Sequence, residues 1–122
     1  MADTNRLAGV MSATIDGRAY SVTGEGKYTV SSVKRETLLG QDGYHGYSEM
    51  PAAGKMSWKG RDAGSPMIKA LNEMSNATVV FVLANGKTIV GRQMARVGDP
   101  IEVSSEDASF DVGFEGPDVS EN

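Results

Sequence analysis

The sequence contains no cysteine and only one histidine, His45, among its 122 residues. The absence of thiols excludes disulfide bonds and the zinc sites that are built on Cys and His ligands. An imidazole base for catalysis depends on His45 alone, and a histidine in a glycine-rich segment is more often solvent-facing than catalytic. We therefore predict no catalytic residue, no metal site and no cofactor. A small hydrolytic enzyme that uses His45 as its base is the alternative from a different class.

Long apolar runs and an excess of positive charge are missing as well. No window approaches the ~18 apolar residues of a membrane span, and residues 1–17 lack the basic and then apolar order of a signal peptide. Lys+Arg 12 against Asp+Glu 16 gives a net charge of −4, which should repel a phosphate backbone. We expect a soluble, unexported chain that binds no membrane and reads no nucleic acid sequence.

Residues 78–93 carry the strongest structural signal, two β-branched runs joined by Asn85-Gly86. Asn-Gly between apolar runs predicts a β-hairpin with a type I′ turn, which needs a positive φ at both central residues. A two-residue turn fixes the register and sets Phe81 opposite Val90. Both faces are then apolar, so the second face is covered either by the predicted helix or by another subunit. The hairpin residues that we predict to mediate self-assembly are Val79, Val80, Phe81, Val82, Leu83, Ile89 and Val90.

The rest of the chain reads as one domain, residues 1–122, that is mostly β with a minor α component. Asp16-Gly17 predicts a second hairpin in which Ala13 faces Tyr20. Serine as N-cap followed by proline predicts a helix over residues 65–74, and its apolar stripe is typical of core packing. The remaining predicted segments are an N-terminal arm at 1–9, strands at 27–33, 55–61, 101–104 and 108–115, and an acidic tail at 117–122.

Residues 36–54 show no apolar periodicity and are rich in glycine, which predicts a long Gly-rich loop. Disordered segments are usually poor in aromatic and aliphatic side chains, whereas this segment contains many of them. We interpret it as an assembly loop that packs on a partner, with an Ω-loop folded on its own domain as the alternative. The residues that we expect to make this contact are Leu38, Leu39, Tyr44, His45, Tyr47 and Met50.

Acidic side chains are concentrated in the last quarter of the sequence. Their spacing is typical of a solvated strand face, and a deliberate anionic surface is the second interpretation. The residues of this candidate anionic surface are Glu102, Glu106, Asp107, Asp111 and Glu115.

Several segments in combination resemble one family. The residues that carry the likeness are SSVKRETLLGQDGYHGYSEMP from 31 to 51, the Arg61-Asp62-Ala63-Gly64 turn, the ANGKTIVGR hairpin, Asn5-Arg6-Leu7-Ala8-Gly9, and Phe114-Glu115-Gly116. Together they span residues 5–116 and resemble the tail tube protein of Mu-like contractile-tailed bacteriophages.

The resemblance implies a β-sandwich or small barrel of two antiparallel sheets with one flanking helix. It also implies hexameric rings that stack into the inner tail tube. We expect the loop at 36–54 to become ordered between stacked rings. The expected partners are further copies of the chain and the tail sheath, tape measure and baseplate proteins, and DNA would pass through the lumen without specific binding. The expected location is the virion tail, assembled in the host cytoplasm. The inner tube of a contractile injection or secretion system is the nearest alternative.

Overall fold

The computed structural model describes residues 9–62 and 68–121, apart from the side chain of Glu25. Strands dominate this part of the chain, and one short helix interrupts them. In chain order the elements are β1 (Ser12–Ile15), β2 (Arg18–Tyr20), β3 (Gly24–Thr29), β4 (Ser32–Gly40), β5 (Gly43–Ala52), β6 (Gly54–Arg61), α1 (Ile68–Asn72), β7 (Ala77–Val82), β8 (Thr88–Arg96), β9 (Ser109–Gly116) and β10 (Asp118–Glu121).

Two antiparallel sheets form a sandwich, and β8 belongs to both of them. The first sheet has the order β2-β1-β7-β8-β10, and the second has the order β3-β6-β9-β8. The first part of β8 pairs with β7 and β10, whereas Ala95 and Arg96 near its end pair with β9. Gln93 has a φ of 56° and lies at the irregularity of the β7–β8 ladder, one residue before Met94, the last residue of β8 that pairs with β7. A bend of this kind lets one strand pass from sheet to sheet.

The predicted fold class is confirmed as mostly β, with two antiparallel sheets and one helix. The sheet order ends in β2 on one side and β3 on the other, and within the described residues these two strands do not pair. The prediction allowed a β-sandwich or a small barrel, and the structure is a β-sandwich and not a closed barrel. Helix α1 is five residues long, and no described helix is long and apolar enough to cross a membrane.

The core lies between the two sheets and is centred on Trp58 of β6. The Trp58 ring stacks on Phe114 at 5.9 Å between centroids and meets Phe81 of the first sheet edge-on at 5.5 Å. Burial alternates along the strands because successive side chains point to opposite faces. Gly91 lies on an inward position of β8, where an added Cβ would stand 2.7 Å from the sulfur of Met56. A side chain at position 91 would therefore have to displace the buried side chains of Met56 and Met94.

The turn of the β7–β8 hairpin differs from the predicted one by one residue. The Leu83 N–H donates to the Lys87 carbonyl at 2.9 Å, so the loop has three residues, and Phe81 lies opposite Ile89 instead of Val90. Only Gly86 in this loop has a positive φ, at 90°, as in a type I turn followed by a G1 bulge. The predicted register was wrong, and the shift turns Ile89 inward and Val90 outward.

The Asp16-Gly17 hairpin agrees with its prediction. Both turn residues have a positive φ, 50° and 83°, as a type I′ turn requires, and Ala13 pairs with Tyr20.

Two other predicted segments are corrected by the structure. Residues 36–54 are not a loop, because most of them belong to the paired strands β4 and β5. The acidic tail at 117–122 is not a loose end, since β10 pairs with β8 and its Val119 is buried.

The limits of the remaining predicted elements also change. The predicted strand at 101–104 is reduced to a single bridge between Val103 and Phe110. The helix ends at Asn72. The predicted start of the helix, at 65–67, lies outside the described residues. Residues 1–8 of the predicted N-terminal arm lie outside them as well.

The bend at Gln93 leads to a stability prediction. A left-handed backbone costs a residue with a Cβ about 1–2 kcal/mol, and it is worst for β-branched side chains. We expect Gln93→Val to lower the free energy of unfolding by at least about 1 kcal/mol and Gln93→Gly to change it by less than that. Urea denaturation of the subunit, followed by the fluorescence of Trp58, measures both. Thr78→Val, at an exposed position of β7, is the matched control. An equal loss of stability in Gln93→Val and in Thr78→Val would contradict backbone strain at Gln93.

Candidate assembly surfaces

Strands β4 and β5 form a hairpin that pairs with no strand of the sandwich in the described structure. We call it the projecting hairpin; at 3.3 Å per residue it is about 30 Å long. Its base is held by β10, because the Ser31 N–H donates to the Val119 carbonyl at 3.1 Å and the Val119 N–H donates to Ser31 Oγ at 3.3 Å. A two-stranded hairpin is marginally stable alone in water, so a second contact along its length is expected.

One face of the projecting hairpin carries an exposed ion pair beside an aromatic ring. Arg35 Nε donates to Glu49 Oε1 at 2.8 Å, and these residues are directly opposite in the strand register. The Arg35 guanidinium also lies 5.5 Å from the centroid of the Tyr47 ring. Exposed pairs of this kind contribute at most about 1 kcal/mol, so they orient the side chains more than they stabilise the hairpin.

The tip of the projecting hairpin contains the single histidine. Leu38 lies opposite Gly46 and Leu39 lies opposite Tyr44, so His45 is the extra residue of a β-bulge. His45 Nε2 is 2.6 Å from Asp42 Oδ1, and the imidazole covers Gly40 so closely that a Cβ there would collide with it. His45 is thus placed to close the hairpin tip, in an exposed position.

All the apolar residues predicted for the partner contact lie on the projecting hairpin and are exposed. Leu39 is 72% exposed and Tyr44 is 65% exposed, although both are large side chains. An apolar surface of this size on a single chain marks an interaction site or an aggregation hazard. The predicted apolar residues are Leu38, Leu39, Tyr44, Tyr47 and Met50, and the structure adds the exposed Val33.

The seven predicted assembly residues of the β7–β8 hairpin are divided between two environments. Those on the inner face are core residues, and Leu83 packs against the core from its edge. Those on the outer face remain accessible, and Val82 is 46% exposed. The inner residues are Val79, Phe81 and Ile89, and the outer residues are Val80, Val82 and Val90.

The outer face of the first sheet carries a row of uncharged side chains beside the exposed Arg92–Asp118 ion pair. The strand pairing places Thr14, Val80, Val90 and Ser120 in one row across four strands. Such small and β-branched side chains leave a surface on which another subunit can pack without desolvating an ion. Only this outer face of the β7–β8 hairpin can contribute to assembly, because the inner face is the core of the chain itself.

The candidate anionic surface is spread over β9 and the connection before it. Asp111 lies opposite Lys59 and Glu115 lies opposite Lys55 in the β6–β9 ladder, so these two carboxylates alternate with lysines on the second sheet. Asp107 Oδ1 accepts hydrogen bonds from Ser109 Oγ at 2.8 Å and from its backbone N–H at 3.1 Å, which hold the pKa of Asp107 below its usual value.

The two other carboxylates of the set, Glu102 and Glu106, are exposed on that connection. An anionic surface made of the five residues stays a prediction. Within the described ranges, no cluster of three or more His, Cys, Asp or Glu side chains could hold a metal ion.

A sandwich with one strand shared by both sheets and with a projecting apolar hairpin is consistent with the protein family that the sequence matches. A family model described as "Phage tail tube protein" matches residues 4–121. The chain belongs to the phage tail tube protein family. The match is to the family as a whole, so the narrower likeness to Mu-like phages stays a prediction. No match was found among curated proteins.

Solved structures with a similar fold come from contractile injection systems. The PVC sheath/tube terminator in the extended state has a TM-score of 0.58 and 8% identity over 92% of each chain. The PVC sheath-tube complex in the extended state has a TM-score of 0.58 and 9% identity over 92% of this tail tube chain and 87% of the other. The tube-terminating cap of the anti-feeding prophage has a TM-score of 0.56 and 14% identity over 100% and 99%.

At these identities the structural likeness shows the fold alone. Membership of the family makes the chain a structural protein of the phage tail tube type.

The isolation of the projecting hairpin from the core leads to a second stability prediction. We expect Leu39→Ser combined with Tyr44→Ser to change the free energy of unfolding by less than about 0.5 kcal/mol, because neither side chain contacts the core. Phe81→Ala, which empties a fully buried site, should cost about 3–5 kcal/mol. Chemical denaturation of the unassembled chain compares the two, and a large loss in the hairpin variant would show that the hairpin supports the fold.

Proposed function

We propose that the chain is the repeating subunit of a tail tube, in which copies join side by side into hexameric rings and the rings stack. The observation that carries this proposal is the projecting hairpin, whose exposed apolar side chains have no cover from the part of the chain that the structure describes. A contact in which one copy's protrusion meets a different surface of the next copy is heterologous, and such a contact can repeat along an axis without closing. Repetition of that contact builds a tube from stacked rings.

The size of the apolar surface on the projecting hairpin supports its role between rings. Burial stabilises by ~25 cal/mol per Å² of apolar area, and a large side chain moved out of water contributes about 1.5–3 kcal/mol. Six such side chains on one hairpin, even when partly covered, contribute on the order of several kcal/mol per subunit. Because each subunit of a ring would make the same contact, stacking is cooperative.

The outer face of the first sheet is our proposed contact within a ring. Val80, Val82 and Val90 form its apolar part, and the hydroxyl groups of Thr14 and Thr88 lie beside them. This face and the projecting hairpin belong to different sheets, so lateral joining and stacking use separate surfaces.

The proposal extends to the partners and the location of the tube. We propose that the tube assembles in the host cytoplasm with sheath, tape measure and baseplate proteins, and that DNA passes through its lumen without specific binding. The net charge of −4 supports this, because a wall that bound phosphates would retard a polyanion. The carboxylates of Glu102 and Glu106 are the proposed uncompensated charges on that wall.

The inner tube of a contractile injection system is the second candidate. The similar structures favour it, because they are PVC sheath-tube and terminator components. In both candidates the subunit is structural. We propose that it has no enzymatic activity, since His45 and its partner Asp42 lie at an exposed hairpin tip.

Shortening the projecting hairpin tests the stacking role. Lys34 and Met50 are directly opposite each other, so residues 35–49 can be replaced by an Asn-Gly turn without a change of register. We expect the shortened chain to fold and to form rings that do not stack. Negative-stain microscopy distinguishes single rings from tubes. Tyr44→Phe, which keeps the ring, is the control and should form normal tubes, whereas normal tubes from the shortened chain would exclude the hairpin from stacking.

An aspartate on each face of β7 tests the lateral contact. Val82 is on the accessible outer face, so Val82→Asp should leave the fold intact and give a monomer in analytical ultracentrifugation. Val79 is 0% exposed, so Val79→Asp places a carboxylate in the core and should prevent folding. Rings of unchanged size from Val82→Asp would show that the outer face lies outside the ring interface.

A further inference from the structure

The described structure contains an open apolar groove of about 720 Å³ that the tube-forming surfaces above do not use. It lies where the segment before β1, the start of β3 and the β7–β8 turn meet. Its main lining residues are Val10, Met11, Val22, Tyr28, Leu83 and Asn85.

The floor of the groove is apolar and its lip is strongly exposed. Met11 lies against Gly26 so closely that a Cβ on that glycine would collide with the methionine side chain. Met11, Tyr28 and Leu83 are partly buried against the core, so the floor is held in place. Val10 is 90% exposed at the lip, an unfavourable position for valine unless a further group covers it.

An ammonium group lies just outside the groove, next to its lining residues Leu83 and Tyr28. Lys87 lies directly opposite Leu83 in the turn, and its Nζ donates to Glu121 Oε2 at 2.5 Å. That hydrogen bond, with a smaller contribution from the Tyr28 hydroxyl, raises the pKa of Lys87 above its ordinary value. An ammonium has three donors, so Lys87 can donate to a further carboxylate while it keeps Glu121.

The tip of the projecting hairpin has the matching chemistry. Leu39 and Tyr44 are directly opposite each other and strongly exposed, so they present one apolar pair. Asp42 is in the turn beside them, and its side chain is 82% exposed. An apolar pair next to a carboxylate complements an apolar groove next to an ammonium.

A second copy of the chain is the occupant that fits the dimensions. The projecting hairpin is about 30 Å long, and a compact body of this chain length is about 35 Å across. A hairpin that leaves the sandwich at Ser31 can therefore span most of the body of a neighbouring copy. In the described structure, the hairpin tip does not contact the groove of the same chain.

We infer that the hairpin tip of one copy docks in this groove of a copy in the next ring. Leu39 and Tyr44 lie on the apolar floor, and the carboxylate of Asp42 accepts a hydrogen bond from Lys87. The inference rests on the proposed function, because it names the surface that receives the hairpin when rings stack. It also gives Val10 the cover that it lacks among the described residues of its own chain.

Cysteine cross-linking tests this contact, and the absence of native cysteine makes the result unambiguous. Gln41→Cys places a thiol in the tip turn and leaves Leu39, Asp42 and Tyr44 in place. Val10→Cys places a thiol on the lip of the groove. A 1:1 mixture of the two single variants is assembled into tubes, oxidised mildly and run on a non-reducing gel. We expect a disulfide-linked dimer that contains one copy of each variant, in a yield at least about tenfold above that of the unassembled mixture.

The matched control pairs Gln41→Cys with Glu73→Cys, an exposed residue just after α1, and should give no dimer above the unassembled background. If a variant assembles poorly, it is mixed with an excess of wild-type chain, so that the cross-link is still read in normal tubes. Tubes that cross-link through Glu73 or through neither pair would overturn the docking site and leave the proposed function standing. Failure of the wild-type chain to form tubes would instead overturn the proposed function.

A competing occupant is tested in the same way. Residues 1–8 precede the groove lip in sequence, and Asn5→Cys combined with Asn85→Cys in one chain reports whether they fill the groove. A disulfide within single chains of assembled tubes would overturn the docking of the hairpin tip. We expect no disulfide within single chains, together with the cross-link between Gln41→Cys and Val10→Cys.

Discussion

The contact between Trp58 and the rings on either side of it is the interaction on which the sandwich depends. Trp58 stacks on Phe114 within the second sheet and meets Phe81 of the first sheet edge-on, so one side chain joins both layers. Its indole Nε1 is buried and has no hydrogen-bond partner among the described residues, which costs about 1–3 kcal/mol. The packing of three large rings outweighs that cost, because each ring removes 150–250 Å² from water.

A core closed by Trp58 leaves the rest of the chain free to serve assembly. The inner residues Val79 and Ile89 are fully buried, and their neighbours Val80 and Val90 on the same strands face outward. The projecting hairpin goes further, since it contributes almost nothing to the core and exposes apolar residues along its length. Folding and assembly therefore depend on different side chains, so substitutions on the assembly surfaces can occur while the fold is kept.

The sequence predicted those parts of the structure in which local chemistry decides the geometry. Asp16-Gly17 gave a type I′ turn as expected, whereas Asn85-Gly86 gave a three-residue loop, because the Asn85 side chain accepts a hydrogen bond from the Lys87 N–H and stabilises the alternative turn. The projecting hairpin was missed because both its faces are exposed, which removes the alternation that reveals a strand. The groove brings together residues distant in sequence, from Val10 to Asn85, and no local pattern indicates it.

The attachment of the projecting hairpin has a mechanical consequence. Both hydrogen bonds at its base end on Val119 of β10, and β10 is paired along its length with β8. A pull on the hairpin is therefore carried along the chain into β3 and β6 and, through these hydrogen bonds, sideways into the β10–β8 ladder. Because β8 continues into the second sheet beyond Gln93, the same load reaches both layers of the sandwich. A subunit built in this way resists axial tension as one body, with no separate linker that could yield first.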